Sequence, residues 1–237
     1  METQARVAER SALSTAIECS LDGYLDGVAD ATMIFRSAVD AHLHDQSEGA
    51  CWQLARRITE LVRSLEDMQQ TLEMRPAAPA PLEDASSAAT RALLTALGRL
   101  LRDMKRQITG LAIESGFTLR GRRVPTRLVV DVQELTDEVC AAIDALIDAC
   151  RPGRQQGLTA DAGRRGVCWH EAQADRLSMA LLRRILADDA LDVDARLRLA
   201  QFVEEIDRVA DQAEAVASAL VTDSSAACGT PGGVYAH

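Results

Sequence analysis

Six prolines punctuate this chain of 237 residues, at positions 76, 79, 81, 125, 152 and 231, and the stretches between them are long and rich in Ala and Leu. A proline inside a helix removes a backbone donor, clashes with the preceding turn and costs about 3 kcal/mol. Spans of this length without one therefore permit extended helices. The dominant residues, Ala, Leu, Arg, Asp and Glu, are the ones that lose least on entering a helix. Aromatic residues make up 3% of the chain, so the helices that form must meet through small and aliphatic side chains at close spacing. The fold class that follows is all-α.

Breaker residues and apolar periodicity divide the chain into six helices. Ala5 to about His44 reads as the first, with a disturbance predicted at Ser20-Leu-Asp-Gly23. The second runs from about Cys51 to Met74 and stops at the Pro76–Pro81 loop. The third begins near Asp84, where Asp or Ser can cap it, and continues to about Glu114. Thr126 to Cys150 is the fourth, ended by Pro152-Gly153. A Gly- and Arg-containing loop leads into the fifth, from about Arg165 to Leu186. After a turn at 187–192 the sixth spans Val193 to about Val221. Residues 223–237, rich in Ser, Ala and Gly, predict a disordered tail.

The six helices repeat as three and three. A shift of 109 residues carries Ile58–Leu111 onto Val167–Leu220 without a gap, placing Leu72 on Leu181, Leu97 on Ile206, Arg99 on Arg208 and Leu100 on Val209. A shift of 108 registers the first helices, with Phe35 on Ile143, Val39 on Ile147 and Asp40 on Asp148. Amphipathic helices match one another readily, but one offset held across two helices and their loop indicates an internal duplication. The expected organisation is two tandem antiparallel three-helix bundles related by a pseudo-twofold axis. Residues 1–117 form the first bundle, 118–125 a basic junction and 126–222 the second.

The formal charge of −10 repels phosphate backbones and anionic lipid, which makes nucleic acid and membrane surfaces poor partners. No run approaches the roughly 18 apolar residues of a membrane-spanning helix, and the polar N-terminus has no apolar core of a signal peptide. These features predict a cytoplasmic protein that does not insert into membranes. Its six cysteines lack any CxxC spacing, so neither a zinc motif nor a disulfide framework is indicated. There is no GxSxG, P-loop, HExxH or glycine-rich dinucleotide turn, and the expectation is a protein without catalytic activity.

The chemistry-bearing feature is a set of acids in the second repeat. Glu171 and Asp175 lie four residues apart on the fifth helix, and Asp207 and Asp211 four apart on the sixth. At that spacing the Cβ atoms stand about 5–6 Å apart on one face. Two such pairs on facing helices make an oxygen cage for a hard or borderline cation, Fe, Mn or Mg before Zn. Acidic pairs are also common on solvated faces, where Arg176 and Arg208 would neutralise them. The 109 shift places Val62 and Glu66 where the second repeat has Glu171 and Asp175, and Gly98 and Arg102 where it has Asp207 and Asp211. The first repeat thus keeps one carboxylate and gains an arginine, and no metal is expected there.

The segments Glu171-Ala-Gln-Ala-Asp175 and Glu205-Ile-Asp207-Arg-Val-Ala-Asp211-Gln-Ala-Glu214 resemble the E/D-x-x-x-D motifs of the PhoU-like family. The resemblance is nearest to the branch associated with Pit-type phosphate transporters, and it extends to about residue 222. It implies two pseudo-symmetric three-helix bundles, metal bound at Glu171, Asp175, Asp207 and Asp211, and a role in regulating phosphate uptake through a Pit-type transporter. Self-association into a homo-oligomer is compatible with it. Two other readings of the residues stay open: a ferritin-like carboxylate metalloenzyme, and a helical adaptor without metal. The first needs Glu-x-x-His pairs, and no Glu in this chain has a His three residues later. Glu134 and Glu138 read as an acidic stripe, His170 as a histidine on another face, and Arg120, Arg122, Arg123 and Arg127 as a solvated loop.

Overall fold

The first helix is continuous as expected, without the disturbance expected near residues 20–23: α1 runs unbroken over Glu2–Leu43. Gly23 meets no neighbouring atom, so its cost is the intrinsic propensity penalty of about 1 kcal/mol, too small to interrupt 42 residues. The computed structural model describes residues 2–44, 48–74, 85–116, 124–151 and 158–226. The remaining helices are α2 (Glu48–Glu73), α3 (Ala85–Gly116), α4 (Thr126–Cys150), α5 (Leu158–Leu186) and α6 (Val193–Ala226). Among the described residues all regular secondary structure is helical, and no helix is long and apolar enough to cross a membrane. Arg120, Arg122, Arg123 and residues 227–237 lie outside the described residues.

The start of α5 departs from expectation by two turns. The segment read as a glycine-containing loop is helical from Leu158. Gly163 and Gly166 do not loosen the chain there; they let α5 lie against α4. A Cβ on Gly163 would stand 2.7 Å from the Cβ of Ala149, and one on Gly166 would stand 3.3 Å from that of Ala145. Facing small residues thus set the α4–α5 distance.

The helices of each half pack on one another, and the halves meet through α1 against α4 and α3 against α6. Exchanging α1 with α4, α2 with α5 and α3 with α6 returns the same set of pairings, as a pseudo-twofold axis requires. The α1–α4 crossing is antiparallel. Arg151, just past the end of α4, reaches Asp26 at 2.9 Å and Asp22 at 3.7 Å. Gln133, near its start, donates to Asp40 near the end of α1 at 2.8 Å, and Arg36 pairs with Asp137 between them at 2.9 Å.

Burial follows the 109-residue repeat. Ile58 and Val167, Leu97 and Ile206, Leu100 and Val209, Met104 and Ala213, and Ile108 and Ala217 are corresponding pairs, all buried. Side chains of both bundles form one connected core, in which Leu25, Phe35, Leu135 and Ile143 are fully buried. The two copies differ in size along the second seam: Leu65, Leu101, Met104 and Ile108 are matched by Ala174, Ala210, Ala213 and Ala217. The α5–α6 seam is therefore built from smaller side chains than α2–α3, and there the carboxylates lie.

Candidate metal centre

α5 and α6 form a helical hairpin whose turn is fixed locally and from outside. Asp192 caps α6, its Oδ1 accepting from the backbone N–H of Ala195 at 2.7 Å. Asp188 accepts from the N–H of Ala190 at 3.0 Å and pairs with Arg127. Arg184 of α5 pairs with Asp131 of α4 and donates to the carbonyl of Arg127 at 3.3 Å. Arg127, expected in a solvated loop, thus sits at the start of α4 and holds the hairpin in place.

With the hairpin closed, helical register aligns two antiparallel rows: Cys168, Glu171, Asp175 and Ser178 on α5, and Glu214, Asp211 and Asp207 on α6. One carboxylate oxygen each of Glu171, Asp175 and Asp211 lies within 4.8 Å of the other two. Asp207 sits deeper and outside that trio. Its Oδ2 accepts from Ser178 Oγ at 2.7 Å, while its Oδ1 is buried without a hydrogen-bond partner. Of the four expected ligands, Glu171 and the exposed Asp175 and Asp211 converge, and Asp207 keeps one buried oxygen without a partner.

The electrostatics record the crowding. Burial, opposed by the Ser178 hydrogen bond and reinforced by Asp175 and Asp211, raises the Asp207 carboxyl to about 6. Burial followed by the fields of Glu214, Asp175, Asp211 and Asp207 raises Glu171, and burial with Asp175 and Glu214 raises Asp211, against a lowering by Arg208. Cys168 is raised too, by burial and then by its hydrogen bond to Glu214. Among the described residues no Arg or Lys lies within ion-pairing distance of Glu171, Asp175, Asp207 or Asp211. Arg176 and Arg208 therefore do not form the ion pairs that a solvated acidic face would use.

The first repeat shows what the same seam looks like when it carries its own cations. Arg102 and Lys105 occupy the positions of Asp211 and Glu214, and Gly98 that of Asp207. Arg102 lies 3.6 Å from Glu66, the counterpart of Asp175. A Cβ on Gly98 would stand 3.2 Å from the Gln69 side chain and 3.6 Å from the Arg102 guanidinium. Where α2–α3 pairs an acid with a resident arginine, α5–α6 sets acid against acid. An all-oxygen donor set with a buried orphan oxygen suits a hard cation such as Mg, Mn or Fe, with Zn less well matched to oxygen alone. Glu171, Asp175 and Asp211 would hold it, Asp207 behind them and Glu214 at the rim.

Sequence reasoning did not place Glu214, Ser178 or Cys168 in this seam. The signal was available: each continues its row at a spacing of three residues, and the 109 shift sets Lys105 on Glu214. His170 lies off the seam, half-buried, with Nδ1 2.7 Å from Glu138 Oε2 and edge-on to Trp169. Glu138 is thus the partner of a histidine on the neighbouring helix and not part of a free acidic stripe. His42 packs its ring against Phe202 at 5.2 Å.

The fold and geometry describe a duplicated helical protein with, among the described residues, an acidic cluster in the seam between α5 and α6. No protein-family model and no curated protein matches the chain. Its fold is that of PhoU-like proteins. A PhoU-like phosphate regulatory protein from Shewanella oneidensis MR-1 superposes with a TM-score of 0.71 at 16% identity, covering 87% of this chain and 98% of that one. A PhoU-like protein from the same organism gives 0.71 at 16% over 86% and 94%. PhoU from Pseudomonas aeruginosa gives 0.59 at 17% over 91% and 99%.

Proposed function

We propose that this protein is a non-catalytic, metal-binding regulator of phosphate transport, acting from the cytoplasm on a Pit-type phosphate transporter. The observation that carries this reading is the fold likeness to a PhoU-like phosphate regulatory protein over nearly the whole of both chains. The α5–α6 seam supports the metal. A cation there supplies the positive charge that Arg102 and Lys105 supply in the first repeat. Glu171, Asp175 and Asp211 bind it, and Ser178 orients Asp207 towards it. Among the described residues a ferritin-like oxidase finds no imidazole converging with these acids, and His170 pairs with Glu138.

None of the described helices is long and apolar enough to cross a membrane, so contact with a transporter through this part of the chain would be made by docking. A chain of net charge −10 complements the Lys- and Arg-rich cytoplasmic loops of membrane proteins, and such docking weakens with salt. Deleting the protein should alter phosphate uptake, and a plasmid copy should restore it. Radiolabelled phosphate uptake in the deletion strain checks this; rates unchanged under both phosphate-rich and phosphate-poor growth would overturn the proposal.

A further inference from the structure

We infer that the cleft where α3 meets α6 binds a small carboxylate with a compact apolar body, and that the buried amide of Gln107 donates to its carboxylate. The cleft is separate from the acids of the α5–α6 seam. It gives the joint between the two halves a ligand of its own, and the transport reading stands or falls without it.

A cavity of about 210 Å³ lies in this joint. It is smaller than the roughly 300–1,000 Å³ that drug-sized ligands occupy, which limits its occupant to a small molecule. Val39 of α1, Leu111 of α3, and Phe202 and Ile206 of α6 give it an apolar wall. Gln107 of α3 lines the same cavity. It is 5% exposed, and its Nε2 is buried with no hydrogen-bond acceptor. A buried donor left unpaired costs the full desolvation of that group, and an acceptor brought in by a ligand recovers it. The fold does not require an amide at this position. The 109-residue shift places Val216 there in the second repeat, and Val216 is buried too.

The charges lining the cavity decide which acceptor fits. Arg106 of α3 and Arg198 of α6 line it, and each pairs with an acid of its own helix, Asp103 and Asp194. A guanidinium has five N–H donors, so one such pairing leaves donors for a carboxylate. That carboxylate also gives Gln107 a charge-assisted hydrogen bond, roughly twice as strong as one to a neutral carbonyl. Glu114 and Glu205 line the cavity as well. Two cations against two acids leave room for a single negative charge held between the arginines. The inorganic phosphate dianion would stand against both glutamates and lose its hydration on the apolar wall.

Saturation-transfer NMR of the full chain at neutral pH tests this with isovalerate as the probe, beside isovaleramide and inorganic phosphate. Two variants are compared with the wild type. Gln107→Leu puts an apolar side chain where the second repeat has Val216. Gly110→Leu fills the cavity: Gly110 lines it, and a Cβ there meets no atom within 4 Å, so the larger side chain enters open space and raises helix propensity. Circular dichroism and thermal melts check that both variants stay folded. The wild type should bind isovalerate saturably and more tightly than isovaleramide, and phosphate should not displace it. Gln107→Leu should weaken binding roughly tenfold, and Gly110→Leu should abolish it. No saturable isovalerate binding to the wild type, or binding undiminished in Gln107→Leu, would overturn the site. Isovaleramide binding as tightly as isovalerate, or phosphate displacing it, would overturn the carboxylate as its ligand.

Discussion

Replacing Asp207 and Asp211 together by Ala should abolish cation binding and leave the helices intact. These residues supply a carboxylate of the converging trio and the buried orphan oxygen behind it. Outer-shell partners alone are worth about 10–100-fold in affinity, so losing both groups should weaken binding by roughly 100-fold or more. Helix content should persist, because Val203, Ile206, Val209, Ala210 and Ala213 keep α6 in the core. Metal content after equilibrium dialysis against Mn2+ and far-ultraviolet circular dichroism check the two halves of this expectation. The same pair controls the pH response. The Asp207 carboxyl is raised to about 6 in the folded protein, so between the ordinary aspartate range and that value the native state holds more protons than the unfolded one. The metal-free protein should therefore lose stability as pH rises through about 4 to 6, by an amount of order 1 kcal/mol after allowance for solvent screening. Thermal melts should fall by about 2–4 °C across that window. Mn2+ should reverse the loss above it, and the double substitution should flatten it. A melting curve that rises over the same window would contradict the assigned crowding.

Giving the second seam the charges of the first should make it independent of metal. The double substitution Asp211→Arg, Glu214→Lys copies Arg102 and Lys105 and brings a guanidinium against Asp175, as Arg102 stands against Glu66 at 3.6 Å. That pair is half-exposed on both sides, and exposed pairs contribute roughly 0–1 kcal/mol. Most of the gain should come instead from removing two members of a mutually repelling set. The variant should bind no Mn2+ and should melt above the metal-free wild type at neutral pH, with little slope between about pH 4 and 6. Residual Mn2+ binding at wild-type affinity would show that the acids opposite these positions suffice without them.

Much of this was legible in the sequence where physical signals were strong and local. The bounds of α4 were set by Pro125 before it and Pro152-Gly153 after it, and they match the structure at both ends. The duplication was readable because buried positions recur at a fixed offset along two helices. The i,i+4 acids announced the seam, and Gly98 and Arg102 announced its loss in the first repeat. The misses share a cause, since each depended on a neighbouring helix. Gly163 and Gly166 look like loop residues until Ala145 and Ala149 are placed opposite them. Glu214 comes to bear on Glu171 only once α5 and α6 are set side by side, and Glu138 is a stripe residue until His170 arrives beside it.

Whether an external cation closes the second repeat alone is read most directly by hydrogen exchange of the full chain with and without saturating Mn2+. The first repeat serves as the control inside the same molecule, because Arg102 already stands against Glu66 in its seam. Slower exchange confined to residues 168–178 and 207–214, with 59–69 and 98–105 unchanged, is the predicted result. Equal slowing in both seams, or no change in either, would contradict it.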